Sequence, residues 1–277
     1  MMARWLTILF FLNLWINTAS ASDLMVPFIF GGTEVTAESP LARQNVLLEA
    51  KMMRVSFTCS AVILNEQVLL TATHCLGGNG WADIVAHFTL DRKKSGVRIK
   101  VVDRAMVTWP LPTTPTDRDD LALLKLEAPV PQGYEAVKIW PTTEIFAGDE
   151  VILAGYGQSV NHADDNQTGL GVLRSVNQTI LEFPYGQREV RISIEERGAC
   201  FGDSGGPAYI QKEDTPYLFA IASRLTARNK IRDGEGRRPA EYACLYDIIY
   251  TQVHPHLNWI NQTLISWNMK PLTSSKQ

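Results

Sequence analysis

Hydrophobic and polar residues alternate with a period of two in several short segments of this chain. The segments Val-Arg-Ile-Lys-Val at 97–101 and Val-Arg-Ile-Ser-Ile at 190–194 place an apolar side chain at every second position. Successive side chains of a strand point to opposite faces, so this pattern is typical of half-buried β-strands. Largely apolar runs at 121–126, 151–154 and 217–222 indicate further, more deeply buried strands. The pattern therefore predicts a mostly β protein.

Turn and proline signals divide the β pattern into two halves. Residues 54–126 form the first half, and Gly-Gly-Asn-Gly at 77–80 has the composition of a turn. Residues 127–147 contain three prolines and few strand signals, which indicates a linker. A second β-rich half begins at residue 151. Many short strands separated by turns favour a sandwich or a barrel.

The end of the chain departs from this β pattern. Leu257, Ile260, Leu264 and Trp267 recur at helical spacing. Apolar residues three and four positions apart lie on one face of a helix. The spacing predicts an amphipathic α-helix within residues 254–268, followed by a tail at 269–277.

Residues 1–21 have the pattern of a secretory signal peptide. Arg4 precedes a short apolar run at 5–16, and Ala-Ser-Ala at 19–21 is a cleavage motif. The run is too short for a membrane span, and an uncleaved interfacial anchor is the alternative. We therefore expect a secreted or periplasmic protein without a stable membrane span. In that oxidising environment the four cysteines can pair.

Charge and composition exclude some classes of protein. The chain has 277 residues and a formal net charge of −3, so it lacks the basic footprint of a nucleic-acid-binding protein. The spacing of its five histidines gives no support to a metal site, and no cofactor is expected. Apart from His74, we expect most histidines at the surface.

A serine among glycines is the strongest chemical signal. Ser204 lies in Gly-Asp-Ser-Gly-Gly-Pro at 202–207, where its hydroxyl is open to a substrate. A serine hydroxyl needs a base to become a nucleophile, and the base needs a group to orient it. His74 in Thr-Ala-Thr-His-Cys at 71–75 and the aspartates at 119 and 120 are candidates for these partners.

Taken together, the segments at 71–75, 120–126 and 202–207 resemble the chymotrypsin/trypsin-like serine proteases. The resemblance extends from Ile29 to about Trp259. It implies an all-β fold of two six-stranded antiparallel β-barrels with the active site between them and a C-terminal α-helix. The expected domains are an N-terminal barrel with the start of the linker at 29–135 and a C-terminal barrel at 136–253.

The resemblance assigns a catalytic role to each candidate residue. Ser204 is the expected nucleophile, His74 its base and Asp120 the orienting group, with Asp119 as the competing aspartate. The N–H groups of Gly202 and Ser204 would form the oxyanion hole. Ser223 matches a serine that donates a hydrogen bond to the catalytic aspartate, and an ordinary serine at a strand end is the alternative. Protein or peptide substrates are therefore expected.

The resemblance also implies two disulfides. Cys59 and Cys75 would close a loop behind His74. Cys200 and Cys244 would bridge the specificity pocket, although Cys244 is closer to the following strand than in relatives.

An activation step is implied by the segment that follows the expected signal peptide. Residues 22–28 are a candidate propeptide, and Ile29 begins Ile-Phe-Gly-Gly, which resembles the mature N-terminus of the family. In the family, the freed ammonium pairs with the aspartate before the nucleophile, here Asp203; alternatively, Asp203 caps a turn. Phe28 stands where relatives activated by trypsin carry Arg or Lys, so an activating protease of another specificity is expected.

The specificity pocket is expected to be apolar. Gly198 occupies the position at which an aspartate selects Arg and Lys, and Ala199 and Phe201 are also uncharged. Cys244 would shorten the pocket toward small aliphatic residues. Several arginines in the loop 224–243 leave an acidic preference or a regulatory surface as alternatives to an ordinary solvated loop.

Two other classes of function fit parts of the sequence. Residues 202–206 also satisfy the nucleophile-elbow pattern of α/β-hydrolase esterases, with Asp247 and His254 or His256 as partners. That fold needs a helix after the serine. A catalytically restricted binding protein with a protease fold is the other alternative, because Arg224 stands where relatives usually carry an aromatic residue.

Overall fold

A computed structural model describes most of the chain downstream of the expected propeptide. The described residues are 29, 31–77, 82–108, 111–159, 168–193, 197–226, 244 and 247–272. The expected signal peptide, the propeptide at 22–28, most of the turn at 77–80 and most of the basic loop 224–243 lie outside them. Among the described residues, no helix is both long and apolar enough to cross a bilayer.

The first half forms a closed six-stranded antiparallel barrel. It is preceded by a short strand, β1 (Thr33–Glu34), and a short helix, α1 (Pro40–Gln44). Its strands are β2 (Asn45–Met52), β3 (Val55–Asn65), β4 (Val68–Thr71), β5 (Asp83–Phe88), β6 (Val97–Met106) and β7 (Ala122–Leu126). The strand order is β2-β3-β4-β7-β6-β5. The largely apolar run at 121–126 becomes β7, because this strand packs into the barrel interior.

The second half forms a second six-stranded ring. Its strands are β9 (Glu150–Gly155), β10 (Arg174–Tyr185), β11 (Glu189–Ile192), β12 (Pro207–Lys212), β13 (Thr215–Thr226) and β14 (Asp247–Gln252). The order β10-β11-β14-β13-β12-β9 is closed by pairing between β9 and β10, and every pair in this ring is antiparallel. A short strand β8 (Lys138–Ile139) adds to β13 in parallel, and β1 adds to β10. The two expected barrels are thereby confirmed.

Both alternating segments of the sequence lie in strands. In β11, Val190 and Ile192 are fully buried while Arg191 between them is partly exposed. In β6, Ile99 is buried but Val97 is half exposed, because it starts the strand and pairs with Phe88 at the end of β5. Alternation therefore located the strands correctly but overestimated burial at a strand end.

The C-terminal helix covers the first barrel. Helix α2 spans Leu257–Ser266, directly after a 3-10 turn at His254–His256. Ile260 and Leu264 are fully buried in the same apolar cluster as the first-barrel strands. The predicted helix is thus confirmed, within the segment that its spacing indicated.

Buried polar groups hold the two barrels together near the site. Tyr156, in the turn after β9, donates its hydroxyl to the carbonyl oxygens of Asn45 and Thr89 at 3.1 and 2.8 Å. The Tyr156 N–H donates to Ser60 Oγ of β3 at 3.0 Å, and Asn45 Nδ2 donates to the Tyr209 hydroxyl at 3.0 Å. Because unpaired buried polar groups are costly, these contacts fix one arrangement of the barrels.

Candidate active site

The turn that carries Ser204 is hydrogen-bonded to both barrels. The Ser204 carbonyl accepts the N–H of Ser60, in β3, at 2.8 Å. On the other side, Gly205 N–H donates to the Ala222 carbonyl at 2.9 Å, and Ala222 N–H donates to Gly206 at 2.8 Å. The backbone of Ser204 is therefore fixed where the two barrels meet.

Glycine is required on both sides of this serine. Gly202 has φ of 98°, and a Cβ there would lie 2.6 Å from Leu170 Cδ1 and 2.9 Å from Gly157 Cα. Gly205 has φ of 77°, and a Cβ would collide with Thr71 Oγ1. Side chains rarely adopt this conformation, so the glycine-rich sequence is dictated by backbone shape and close packing.

Two backbone donors are available beside the serine hydroxyl. Within the described part of the chain, the N–H groups of Gly202 and Ser204 donate no hydrogen bond to the protein. Backbone N–H groups normally find partners, and donors aimed at a reacting carbonyl are the usual components of an oxyanion hole. The turn can thus offer two donors to a substrate oxygen.

His74 lies in a 3-10 turn, Thr73–Leu76, which follows β4. The next residue, Cys75, is bonded to Cys59 of β3, and the Cα atoms are 6.2 Å apart. Closing this loop, with a sequence separation of 16, stabilises the fold by about 3 kcal/mol in the chain-entropy model. The first of the two expected disulfides therefore fixes the turn that carries the imidazole.

Asp120 immediately precedes β7 and holds His74 by two contacts. Its Oδ2 lies 2.7 Å from His74 Nδ1, and its Oδ1 accepts the backbone N–H of His74 at 3.0 Å. The Ser223 hydroxyl, from β13 of the other barrel, donates to Oδ2 at 2.8 Å. Three donors therefore converge on this carboxylate, which is 2% exposed.

Each of the two partners favours the charged form of the other. Burial on its own would lower the pKa of His74, but the Asp120 carboxylate outweighs it and raises that pKa above the ordinary value. Burial would raise the pKa of Asp120, whereas the charge of His74 and the hydrogen bonds from His74 and Ser223 lower it. With Nδ1 committed to Asp120, Nε2 is the ring nitrogen that can accept a proton.

The structure brings Ser204 next to the His74 turn. Cys75 Sγ lies 3.6 Å from the Ser204 carbonyl oxygen. In the described residues no hydrogen bond joins the His74 ring to the Ser204 hydroxyl. Such catalytic hydrogen bonds are often long before a substrate binds. The structure thus places the candidate nucleophile and the candidate base beside each other.

Asp119 is directed away from His74. Its Oδ1 lies 2.9 Å from His256 Nε2 and 2.9 Å from Arg188 Nε, with which it forms an ion pair. His256 is 5% exposed and His87 is 2% exposed, so the expected surface position is wrong for both. His256 is buried because it packs between Asp119 and the Gln252 carbonyl, which is 2.8 Å from its Nδ1.

Asp203, the residue before Ser204, is buried with few partners. It accepts the N–H of Gly157 at 2.7 Å and that of Cys200 at 2.8 Å. Burial raises its pKa to about 7, although these two N–H groups and the charge of Arg174 oppose the shift. Ile29 is 1% exposed, in the apolar cluster of the second barrel. Its nitrogen is a peptide nitrogen in the intact chain, so an ion pair with Asp203 requires cleavage.

A cavity of about 220 Å³ lies beside Ser204. It is lined by Cys200, Phe201, Ser204, Ala222, Ser223, Arg224, Leu225 and Ile248. Two residues expected in the pocket are not in this lining. Gly198 is absent from it, and Ala199 is buried in the apolar cluster of the second barrel. The second expected disulfide joins Cys200 to the fully buried Cys244, and Leu225 supplies an apolar wall that the sequence pattern did not indicate.

Arg224 extends along the cavity to a buried partner. Its Nη1 and Nη2 donate to Glu189 Oε1 and Oε2 at 2.6 and 2.8 Å. The Glu189 side chain is fully buried at the start of β11. Glu189 was not among the residues expected at the site; its one signal in the sequence is a charged side chain directly before an alternating strand segment.

The esterase alternative fails on the fold. Ser204 is followed by β12 rather than by the helix that a nucleophile elbow requires. Asp247, its candidate acid, pairs with Arg191 at 3.1 Å. Among described residues, the one cluster of possible metal ligands is Cys59, His74 and Cys75. Both of these cysteines are in a disulfide, so their sulfurs are not thiolate ligands.

Comparison with known families agrees with the barrels and the site. A model of the trypsin family matches residues 29–260. Because this match covers most of the chain, the chain belongs to the trypsin family, a class of serine endopeptidases.

Several characterised proteins are similar to this chain. They include the CLIP domain-containing serine protease C9 of Anopheles gambiae, 22% identical over 240 residues, and vitamin K-dependent protein C of Mus musculus, 24% identical over 258. Brachyurin of Leptuca pugilator is 25% identical over 162 residues. These matches cover 76%, 85% and 54% of this chain, and 61%, 51% and 70% of the relatives. The chain thus spans about half to three-fifths of the length of the first two.

Proposed function

We propose that this protein hydrolyses peptide bonds with Ser204 as nucleophile, His74 as general base and Asp120 as orienting group. The observation that carries this proposal is the chain of contacts from Ser223 through Asp120 to His74, beside the Ser204 turn. The family supports the reaction class, and the geometry supports these residues for the roles.

The reaction divides into two steps through an acyl-enzyme. Ser204 Oγ attacks the peptide carbonyl while His74 Nε2 takes its proton, and Asp120 stabilises the imidazolium. The N–H groups of Gly202 and Ser204 bind the oxyanion of the tetrahedral intermediate. His74 then gives the proton to the leaving amine. Water, activated by the same imidazole, attacks the ester and restores the Ser204 hydroxyl.

Cleavage between Phe28 and Ile29 is the proposed activation step. The new Ile29 ammonium would pair with Asp203, whose burial alone makes its charged form unfavourable. This pairing would fix the turn 200–204 and with it the oxyanion hole. A protease that cleaves after aromatic or other apolar residues, rather than a trypsin-like one, would remove residues 22–28.

Substrates with a small or medium apolar residue before the scissile bond fit the cavity best. Its apolar walls include Cys200, Leu225 and Ile248, with Phe201 half exposed beside them. No described residue of the lining supplies a carboxylate for a basic side chain. Arg224 is neutralised by Glu189, so it gives little support to an acidic preference. A buried charge without a partner is strongly unfavourable, which disfavours Arg and Lys.

The protein is proposed to act outside the cytoplasm. The signal-peptide pattern at 1–21 and the two disulfides both fit an extracellular or periplasmic site. Its partners would be protein or peptide substrates and an activating protease.

A positional-scanning peptide library tests the reaction and its specificity together. The chain is made with residues 24–28 replaced by an enteropeptidase recognition sequence and is then cleaved to free Ile29. We expect hydrolysis after Ala, Val or Leu, and no hydrolysis by Ser204→Ala prepared in the same way. Dominant cleavage after Arg or Lys would contradict the apolar pocket. A processed chain that neither hydrolyses any peptide nor reacts with a fluorophosphonate would favour the catalytically restricted binding protein.

A further inference from the structure

One buried carboxylate outside the catalytic group connects the two barrels. Glu189, fully buried at the start of β11, faces the loop 114–119, which leads directly into Asp120. Its Oε2 accepts the N–H of Asp117 at 2.9 Å and its Oε1 accepts that of Arg118 at 3.2 Å. A side chain of the second barrel thus binds the backbone just before the candidate catalytic aspartate.

The contact is reciprocal. Asp117 Oδ1 accepts the N–H groups of Gln187 and Arg188, each at 2.8 Å, from the turn 186–188 that precedes β11. Each side of this contact therefore offers a carboxylate to two backbone N–H groups of the other. Asp117 has φ of 55°, an uncommon conformation that persists where surrounding contacts fix it. We call this arrangement the inter-barrel clamp: Asp117 and Arg118 on one side, and residues 187–189 on the other.

Glu189 also contacts β13, the strand that carries Ser223. It binds both terminal nitrogens of Arg224, and Arg224 directly follows Ser223 in β13. Ser223 is the residue whose hydroxyl donates to Asp120 Oδ2. One carboxylate hence fixes both the loop that enters Asp120 and the strand that carries its hydrogen-bond donor.

We propose that Glu189 is a positioning residue, which through the inter-barrel clamp and Arg224 holds Asp120 in the geometry that orients His74. This inference rests on the proposed peptidase function and deepens it. Glu189 touches neither His74 nor Ser204 in the hydrogen bonds described, so its effect passes through the backbone of 117–120 and through Ser223. Misplacing a catalytic group by about 1 Å can cost about 100-fold in rate.

Glu189→Gln is the sharpest variant, because it keeps the shape of the side chain. The amide places an N–H₂ donor against Arg224 or against the N–H groups of the loop, where only an acceptor fits. In the cleaved enzyme we expect kcat to fall about 10- to 100-fold, with a much smaller change in KM. At acid pH, kcat/KM rises as His74 loses its proton, and we call this rise the acid limb. In the variant the acid limb should move to lower pH, because a displaced Asp120 raises the pKa of His74 less strongly.

Glu182→Gln is the matched control. Glu182 pairs with Arg191 at 2.6 Å on the adjacent strand β10, half exposed, and it has no described contact with the loop 114–119. We expect its kcat and pH profile to match those of the wild type.

Asp117→Asn is a second, milder variant that serves if Glu189→Gln does not fold. It weakens the acceptors for Gln187 and Arg188 and should lower kcat in the same direction by a smaller factor.

The outcomes separate this inference from the proposed function. A wild-type enzyme that hydrolyses peptides, with a folded Glu189→Gln variant of unchanged kcat and acid limb, would overturn the positioning role alone. A Glu189→Gln variant that melts at a lower temperature but keeps the wild-type kcat and acid limb would also overturn the positioning role. A folded Asp117→Asn variant with unchanged kcat and acid limb would overturn it as well. A wild-type chain without any peptidase activity would overturn both proposals.

Discussion

The regions around Asp120 and Asp203 each contain a carboxylate that is almost fully buried, at 2% and 1% exposure. Burial favours the neutral form of both, yet their pKa values shift in opposite directions. Asp120 has the His74 imidazole and the Ser223 hydroxyl against it, and its pKa is lowered. Asp203 has two backbone N–H groups, and its pKa is raised to about 7. Burial alone therefore does not decide the charge of a carboxylate; its partners do.

This difference indicates two stages of assembly. The Asp120 region already contains its donors in the intact chain, so cleavage need not change it. The Asp203 region would gain a cation only when Ile29 is freed. We therefore expect variants of the Ser204–His74–Asp120 group to abolish hydrolysis in every state. Variants at Asp203 should affect only the part of the activity that cleavage adds.

The largest effect is expected at the nucleophile. In the cleaved enzyme, Ser204→Ala should lower kcat by about 10⁶-fold, the scale found for the catalytic serine of another serine protease. His74→Ala should be nearly as severe. Peptide hydrolysis, measured against the uncleaved protein as background, checks this. A residual rate within about 100-fold of the wild type would place the nucleophile elsewhere.

Asp120→Asn should cost about 10⁴-fold in kcat, as the equivalent change does in a relative, because the amide favours the wrong His74 tautomer. Asp119→Asn is the matched control. It loses a charge beside His256 and Arg188 but not beside His74, and asparagine tolerates the positive φ of 50° at this position. We expect it to change kcat less than 10-fold. A reversal of this order would show that Asp119 is the orienting group.

Asp203→Asn tests the contribution of the Asp203 region without changing the Asp120 region. In the cleaved enzyme it removes the partner of the Ile29 ammonium, so kcat should fall about 100- to 1,000-fold, the scale of losing an oxyanion-hole donor.

The wild-type enzyme should also lose activity at alkaline pH. Pairing raises the pKa of the Ile29 ammonium above its unfolded value of about 8. Its stabilisation is complete below that value and is lost as pH rises through the folded pKa. An Asp203→Asn enzyme with wild-type kcat would refute the ion pair.

The free energy of unfolding of the intact chain should depend on pH, because burial raises the pKa of Asp203 in the folded state. The folded protein keeps this carboxyl protonated up to about pH 7, whereas the unfolded chain releases the proton near 3.8. The folded state thus binds more protons in this window, so stability falls as pH rises from about 4 to 7 and the contribution then levels off. Three pKa units correspond to about 4 kcal/mol. Urea unfolding of intact Ser204→Ala, with and without Asp203→Asn, measures the free energy of unfolding at each pH. Equal slopes of that free energy against pH in the two proteins would contradict the raised pKa.

The smallest effect is expected at Ser223. Ser223→Ala removes one of three donors to Asp120 and leaves His74 in place. Losing a hydrogen bond to a buried charged group costs about 1–3 kcal/mol, so kcat should fall about 5- to 140-fold. Ser193→Ala, at a serine that follows β11 in the same barrel, is a control with no described contact to Asp120. A Ser223→Ala enzyme with unchanged kcat would make that hydrogen bond incidental.

Local patterns in the sequence predicted the strands, the C-terminal helix and the glycine-rich turn that carries Ser204. The resemblance favoured Asp120 over Asp119 because the apolar run follows Asp120 directly, and the glycines around Ser204 indicated a turn. Alternation and turns predicted a sandwich or a barrel, and the family resemblance narrowed this to two six-stranded barrels. Each of these signals lies within a few consecutive residues, and such signals are the ones that a single sequence carries.

The residues that were missed depend on contacts between distant segments. Glu189 meets Asp117 across 72 residues and Arg224 across 35. Most histidines other than His74 were expected at the surface, but His256 packs against Asp119 across 137 residues. The expected pocket residues were Gly198, Ala199, Phe201 and Ser223. Phe201 and Ser223 line the cavity, and Leu225 and Ile248, which the sequence did not indicate, line it with them. No local spacing encodes such pairs, because their partners are set by how the two barrels pack.

The most direct test compares Ser204 before and after Ile29 is freed. The chain with the enteropeptidase sequence at 24–28 is treated with a fluorophosphonate, intact and cleaved, and the rate of labelling at Ser204 is measured by mass spectrometry. The account predicts that cleavage raises this rate at least about 100-fold, the scale of one oxyanion-hole donor, and that Asp203→Asn removes the increase. Equal labelling rates of the intact and cleaved chains, or a label on another residue, would contradict it.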